Sequence, residues 1–293
     1  AGVPSPRGGD PVSHMLGFQH DEPGIAAGTA HYLEPVDHLT SRFAGRVHAS
    51  AASMCGAWLV DIRDDRTAYA SELVSRSGID PGKLPPLSAS GGVVGTLAPA
   101  VAAVLGLADD VAVVASTPDL HAAWVGSGAL GIGQAHLAIS TTSWISCAVA
   151  AKKTDALHSI ATVPGLTPEG YLVADNHEAA GASLTWLRSQ VVDGSYEELC
   201  DEAIHSPAGS NGVLFQPWLA GMRSPVDDRS ARGGWTGMSL QTTRADLIRS
   251  VLEGVALQSR WLLGPVEKFA GTRFDTLRIL GGGAQSDLWC QIH

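Results

Sequence analysis

The sequence predicts an α/β protein, and three observations predict it. Short strand-like runs, the β-branched residues 111–115 and then residues 136–139 among them, alternate with longer helical stretches. Hydrophobic residues make up 45% of the chain against 16% charged, the composition of an ordered core and not of a disordered segment. With 34 Gly and 16 Pro in 293 residues the chain is rich in loops, and it is long enough for one large or two ordinary domains.

The elements follow in order. Residues 1–30 read as loop and short helix, and Glu34, Asp37 and Arg42 suggest the exposed face of a helix within residues 29–47. Residues 68–77 form a helix closed by Gly78. Pro85 and Pro86 keep the next stretch extended. An Ala-rich helix runs over residues 99–105 and ends at Gly106, and residues 111–115 make a compact buried strand. Asp119 opens a small-residue helix that reaches about Ala129. Residues 136–139 and 144–149 form a hairpin with a hydroxyl tip. A short strand covers residues 171–174, and helices cover residues 178–191 and 196–205. The longest helix begins at Thr243, where Asp246 at N3 completes a capping box, and runs toward Leu263, with Pro265 beyond. Residues 277–280 are a strand, Gly281-Gly282-Gly283 a tight turn, and residues 284–292 the start of a helix. Gly131-Ile132-Gly133 interrupts the pattern and marks the expected border between domains 1–132 and 133–293.

A net charge of −10 argues against nucleic acid as a partner. No apolar run reaches the roughly 18 residues of a membrane span, and the polar start lacks the apolar stretch of a signal peptide. Cys55, Cys147, Cys200 and Cys290 stand far apart and read as reduced thiols, so a cytoplasmic protein is expected. The chain opens without Met and stops at His293 inside a helical pattern, so both ends read as cut.

Three places can carry chemistry. Asp119 follows a strand and opens a helix, where α/β folds present catalytic groups; an ordinary helix cap uses the same residue. Ser140-Thr141-Thr142-Ser143 can wrap phosphate oxygens, or it is a polar β-turn. Strand, Gly281-Gly282-Gly283, then helix lets backbone approach a nucleotide, although it is neither a Walker loop nor a dinucleotide fingerprint.

Their order, with one further stretch, resembles the FGGY family of carbohydrate kinases, most nearly its xylulokinase-like members. Gly233-Gly234-Trp235-Thr236-Gly237-Met238, followed after seven residues by Asp246-Leu247-Ile248-Arg249-Ser250-Val251-Leu252-Glu253, matches the family's second signature. Residues 281–291 are similar to its adenosine motif, residues 212–225 to the loop before the signature, and residues 139–144 to its phosphate hairpin. The resemblance implies an actin-like, ribonuclease H-like ATPase fold of two lobes with a cleft between them, incomplete at both ends. It implies ATP-dependent phosphorylation of a sugar hydroxyl, with Asp119 as general base and in reach of Mg²⁺ through Mg-ATP. Nucleotide would touch Ser140, Thr141, Thr142, Gly221, Gly281, Gly282, Gly283, Ala284 and Asp287. Partners would be a sugar, ATP and, as a candidate assembly, a second copy in a homodimer. The family's Asp-x-Gly-Thr loop would precede Ala1, Ser140 stands in place of a hairpin Gly, Leu120 in place of a polar sugar contact, and Met222 in place of a Glu. A non-catalytic descendant that binds sugar or nucleotide therefore remains the alternative.

Overall fold

A computed structural model of the chain describes residues 10–63, 67–155, 157–166 and 170–293; the loop expected over residues 1–9 lies outside them. The chain divides into two compact units, Ala1–Ala122 with Val163–Tyr171, and Ala123–Thr162 with Leu172–His293.

In the first unit α1 (Pro11–Asp21), α2 (Pro23–Gly28) and α3 (Pro35–Ala44) each start on a proline, whose fixed φ suits the first helical position. Gly45 ends α3 in the left-handed region that glycine occupies without strain. β1 (Ala49–Ser50) leads into α4 (Ala51–Met54) and pairs in parallel with β2 (Leu87–Ser88). Between them, α5 (Ser71–Ser77) closes at Gly78 as expected but starts three residues late. Ala68 and Ala70 are held extended by backbone bonds to Asp61 and Leu59. β3 (Val93–Thr96) pairs antiparallel with β4 (Ala112–Val114), and α6 (Pro99–Leu105) packs between them in sequence. Met15, Met54, Leu59, Ile62, Ile79 and Leu84 form one core, and Val94, Leu97, Ala102, Val113 and Ala115 a second.

Two expectations for this unit are corrected. Residues 111–115 are no fully buried strand: Val113 points into the core while Val111 and Val114 stay exposed, because β4 is covered on one face. Asp37 is not on an exposed face but has no accessible surface, since hydroxyls from distant segments converge on its carboxylate.

α7 (Asp119–Ser127) leads into the second unit. A six-stranded sheet has the order β12-β5-β6-β9-β8-β7, built from β5 (Ala135–Ile139), β6 (Ser143–Val149), β7 (Thr154–Asp155), β8 (Ile160–Pro164), β9 (Tyr171–His177) and β12 (Leu277–Leu280). β5 and β6 form the expected antiparallel hairpin, with Ile139 opposite Ser143, and β12 runs parallel to β5. α8 (Gly181–Gln190) and α9 (Tyr196–Ala203) follow, then the small antiparallel pair β10 (Leu214–Gln216) and β11 (Gly234–Thr236), which the sequence pattern did not reveal.

α10 (Arg244–Ala270) starts on the expected capping box: Thr243 Oγ1 accepts from the Asp246 N–H, and Asp246 accepts from the Thr243 N–H. It does not stop before Pro265 but continues through it. The missing N–H and ring clash cost about 3 kcal/mol, yet Leu262 and Val266 are fully buried on either side and hold the helix to its core. α11 (Asp287–Ile292) starts later than residue 284, because Gly282–Gln285 form a 3-10 turn and Ser286 caps the helix through Trp289 N–H.

Candidate nucleotide site

The end of β5 and the turn after β12 meet in the second unit. Gly281 sits at φ 93°, and a Cβ there would stand 2.5 Å from the Ile139 carbonyl oxygen. A Cβ on Gly283 would stand 2.4 Å from Ile139 Cγ2. Both positions therefore require glycine for the turn to close on the hairpin.

The hairpin tip is fastened from the other side by α8. Ser140 carbonyl accepts from Gly181 N–H at 2.7 Å, and Thr141 carbonyl accepts from Ala180 and Ala182 N–H at 3.1 Å each. Gly181 is another forced glycine, since a Cβ would lie 2.5 Å from that Ser140 oxygen. This fastening also explains why α8 begins at Gly181 and not at residue 178. Ser140 Oγ folds back to donate to the Thr142 carbonyl at 3.1 Å, so the extra side chain closes its own turn. With the tip carbonyls engaged, the amides of Thr141 and Thr142 form no hydrogen bond among the described residues. Such paired free N–H groups suit phosphate oxygens.

A cavity of about 980 Å³ opens beside the tip. Of the residues expected to touch nucleotide, Ser140, Thr141, Gly282, Gly283 and Asp287 line it. Thr142, Gly221, Gly281 and Ala284 do not. Thr142 turns its carbonyl to Ser140, Gly281 faces Ile139, and Ala284 N–H returns to the Gly281 carbonyl. Gly221 packs against the Arg229 backbone, where a Cβ would approach within 2.9 Å.

The opposite wall was missed by sequence reasoning. Thr185 and Arg188 on α8 line the cavity together with Tyr196, Cys200, Asp201 and Ile204. The Arg188 guanidinium lies 4.2 Å from the Tyr196 ring centroid, and the Tyr196 hydroxyl is 2.8 Å from Thr185 Oγ1. These residues read as ordinary amphipathic helix positions, and no local motif marks them.

The signature stretch stands behind this wall as packing. Gly237 and Gly254 lie against the carbonyls of Gly212 and Phe215, where added Cβ atoms would stand 2.1 and 2.3 Å away. Trp235 packs on Phe215 and Trp186, with ring centroids 5.0 and 5.7 Å apart, and donates from its indole to Ser250 Oγ. Glu253 accepts from Gly209 N–H, Ser210 Oγ and Arg249. The signature thus seats β10 and β11 beneath α8, the helix that carries Thr185 and Arg188.

Asp119 lies in the first unit, exposed at the first residue of α7. Its Oδ1 accepts from the Leu120 N–H at 2.7 Å. His121 is buried and donates from Nε2 to the Pro164 carbonyl at 2.7 Å; burial lowers its pKa.

Comparison with known proteins gives these parts a lineage. The sequence model of the N-terminal domain of the FGGY family of carbohydrate kinases matches residues 7–126, and that of the C-terminal domain matches residues 137–293. A xylulose kinase of Bacillus subtilis is 31% identical over 281 residues, covering 95% of this chain and 55% of that protein. A glycerol kinase of Dechloromonas aromatica is 31% identical over 252 residues, covering 85% and 49%. Among solved structures, a xyloylose kinase from Brucella ovis superposes with a TM-score of 0.85 at 25% identity, over 96% of this chain and 57% of that one. The chain spans about half the length of the curated relatives it matches. It belongs to the FGGY family of carbohydrate kinases and has their actin-like ATPase fold.

Proposed function

We propose that this chain forms part of an ATP-dependent sugar kinase acting on a pentulose such as xylulose or a related sugar or polyol, and supplies its base and part of its nucleotide site. The observation that carries the reading is the cavity where the hydroxyl tip and the glycine turn meet, with the Thr141 amide free beside it. In this reading residues 133–293 hold ATP, and residues 1–132 belong to the sugar-binding lobe. Ser140, Thr141, Gly282, Gly283 and Asp287 line the nucleotide's path.

A sugar hydroxyl is a weak nucleophile, and Asp119 accepts its proton as it attacks the γ-phosphorus. An exposed carboxylate with one oxygen committed to a backbone amide is suited to that task, because the second oxygen is left for the substrate. Among the described residues no group of three or more His, Cys, Asp or Glu could hold a metal by itself. Mg²⁺ would arrive with ATP, and Asp119 is the carboxylate of this chain that would come within its reach. When bound it offsets charge on the β- and γ-phosphates. The alternative, nucleotide binding without transfer, draws on Leu120 beside Asp119; the Ser140 substitution does not favour it, since that hydroxyl is turned into the hairpin.

The test is sugar-dependent ADP release across pentuloses, hexoses and polyols. In an active full-length kinase that contains this chain, Asp119→Asn keeps the size and removes the proton acceptor, so kcat should fall by about 10²–10⁴-fold while KM for ATP changes little. An unchanged kcat would remove Asp119 from the mechanism.

A further inference from the structure

Asp37 is a carboxylate withdrawn from water on α3, and no cation meets it in the bonds it makes. Its Oδ1 accepts from the Ser50 N–H at 2.9 Å and from Ser116 Oγ, and its Oδ2 accepts from Ser53 Oγ. A carboxylate only accepts, through about four lone-pair sites, so it can gather three hydrogens where an amide or hydroxyl could not. The donors lie 13, 16 and 79 residues away along the chain. Two belong to the β1–α4 segment, whose backbone is further tied by the Ser50 cap on Ser53 N–H. The third belongs to the loop between β4 and α7.

That loop is short and has little else to hold it. Among the described residues, the Ser116 Oγ bond is the one side-chain hydrogen bond made by residues 116–118. From there three residues lead to Asp119, and the Pro118 carbonyl already accepts from His121 and Ala122 N–H in the first turn of α7. The position of the Asp119 carboxylate is therefore set by where Ser116 is pinned. We propose that Asp37 is the positioning residue for Asp119, holding the β4–α7 loop by Ser116 so that the base is presented at one place. The proposal rests on the reading of Asp119 as the base.

Ser116→Ala removes the loop end of the network and leaves the Asp37 bonds to Ser50 and Ser53 in place. Ser116→Thr keeps the hydroxyl, and Asp37→Asn alters the centre. In the ADP-release assay Ser116→Ala and Asp37→Asn should each lower kcat roughly 10- to 100-fold with KM for ATP nearly unchanged, the pattern of a misplaced group. Ser116→Thr should recover most of the loss, and Ser116→Ala combined with Asp119→Asn should lose no more than Asp119→Asn alone. Amide hydrogen exchange over residues 116–122 should accelerate by about tenfold or more in Ser116→Ala, while residues 54–62 in the core keep their protection. Unchanged exchange in that segment overturns the proposal whatever kcat does, and so does an unchanged kcat in Ser116→Ala where Asp119→Asn abolishes turnover. If Asp119→Asn leaves kcat intact, the assignment of the base fails, and exchange alone then decides whether Asp37 fixes the loop. Should Asp37→Asn fail to fold, Ser116→Ala carries the same test.

Discussion

Asp246 and Asp175 are both buried carboxylates of the second unit, 1% and 3% exposed, and their protons behave in opposite ways. Asp246 accepts four hydrogen bonds, from Ser206 Oγ at 2.6 Å, Asn211 Nδ2 at 2.9 Å, Thr243 N–H at 2.8 Å and Thr243 Oγ1 at 2.7 Å. Those donors, Ser206 first, pull its pKa down to about 2 against the opposing effect of burial. Asp175 has Ser224 Oγ as its one side-chain donor among the described residues, at 2.9 Å, and that hydroxyl also lies 3.0 Å from the His158 carbonyl. Burial dominates there and lifts the pKa to about 7. Two carboxylates alike in accessible surface thus part in opposite directions, because desolvation leads at Asp175 while converging donors lead at Asp246. The anion also does structural work. It fixes Asn211, which with Ser210 sits in the left-handed region at φ 51° and 48°, a conformation costing about 1–2 kcal/mol per such residue.

The largest effect that could break this contrast is at Asp175. Its native pKa of about 7 lies above the ordinary 3.8, so the folded state holds the proton more tightly than the unfolded chain. Its stabilising contribution is complete below pH 3.8 and lost as pH rises through 7. At roughly 1.4 kcal/mol per tenfold change in proton affinity, the wild type should lose up to about 4 kcal/mol relative to Asp175→Asn between pH 4 and 8. Urea unfolding of both proteins across that range checks it. A constant difference would mean that Asp175 is charged throughout, like Asp246.

Asp246→Ala should cost about 3 kcal/mol at pH 7, because it strands donors in a buried site. The sign with pH is reversed: native pKa about 2 lies below 3.8, so the contribution is present above 3.8 and disappears as pH falls toward 2. Chemical denaturation at pH 7 and pH 2.5 separates the two cases. An equal loss at both would assign Asp246 a packing role and not a charge role.

How much of this was legible follows the range of the interactions. The Thr243–Asp246 capping box, the residues 99–105 helix with its Gly106 stop, and the hydroxyl-tipped hairpin all depend on neighbours within a few residues, and all were read from the chain. The bonds from Asp246 to Ser206 and Asn211 span 40 and 35 residues, and those from Asp37 reach 79, so neither cluster shows in any window of sequence. Pro265 is the reverse case, a strong local stop overruled by the buried Leu262 and Val266. At the candidate site, the hydroxyl tip and glycine turn carry their chemistry in composition. Arg188 and Tyr196 do not, because an amphipathic pattern identifies a polar face and leaves open what that face meets.

The smallest predicted effect isolates the donor count itself. Ser224 Oγ has one hydrogen and two acceptors in reach, the His158 carbonyl and Asp175 Oδ2. When Asp175 is ionised the hydrogen is worth most to the carboxylate; when Asp175 is protonated the hydroxyl can serve His158 instead. Ser224→Ala should therefore cost only about 1 kcal/mol at pH 5 and somewhat more at pH 8, where the bond to a charge is lost. Because Ser224 lowers the Asp175 pKa, its removal should also move the midpoint of the Asp175-dependent stability loss upward. The measurement is the urea unfolding free energy against pH for Ser224→Ala and for Ser224→Ala with Asp175→Asn. The shift should vanish in the double variant, since no carboxylate remains to feel the hydroxyl. A midpoint that stays in place or moves down in the single variant would mean that something other than donor number separates Asp175 from Asp246.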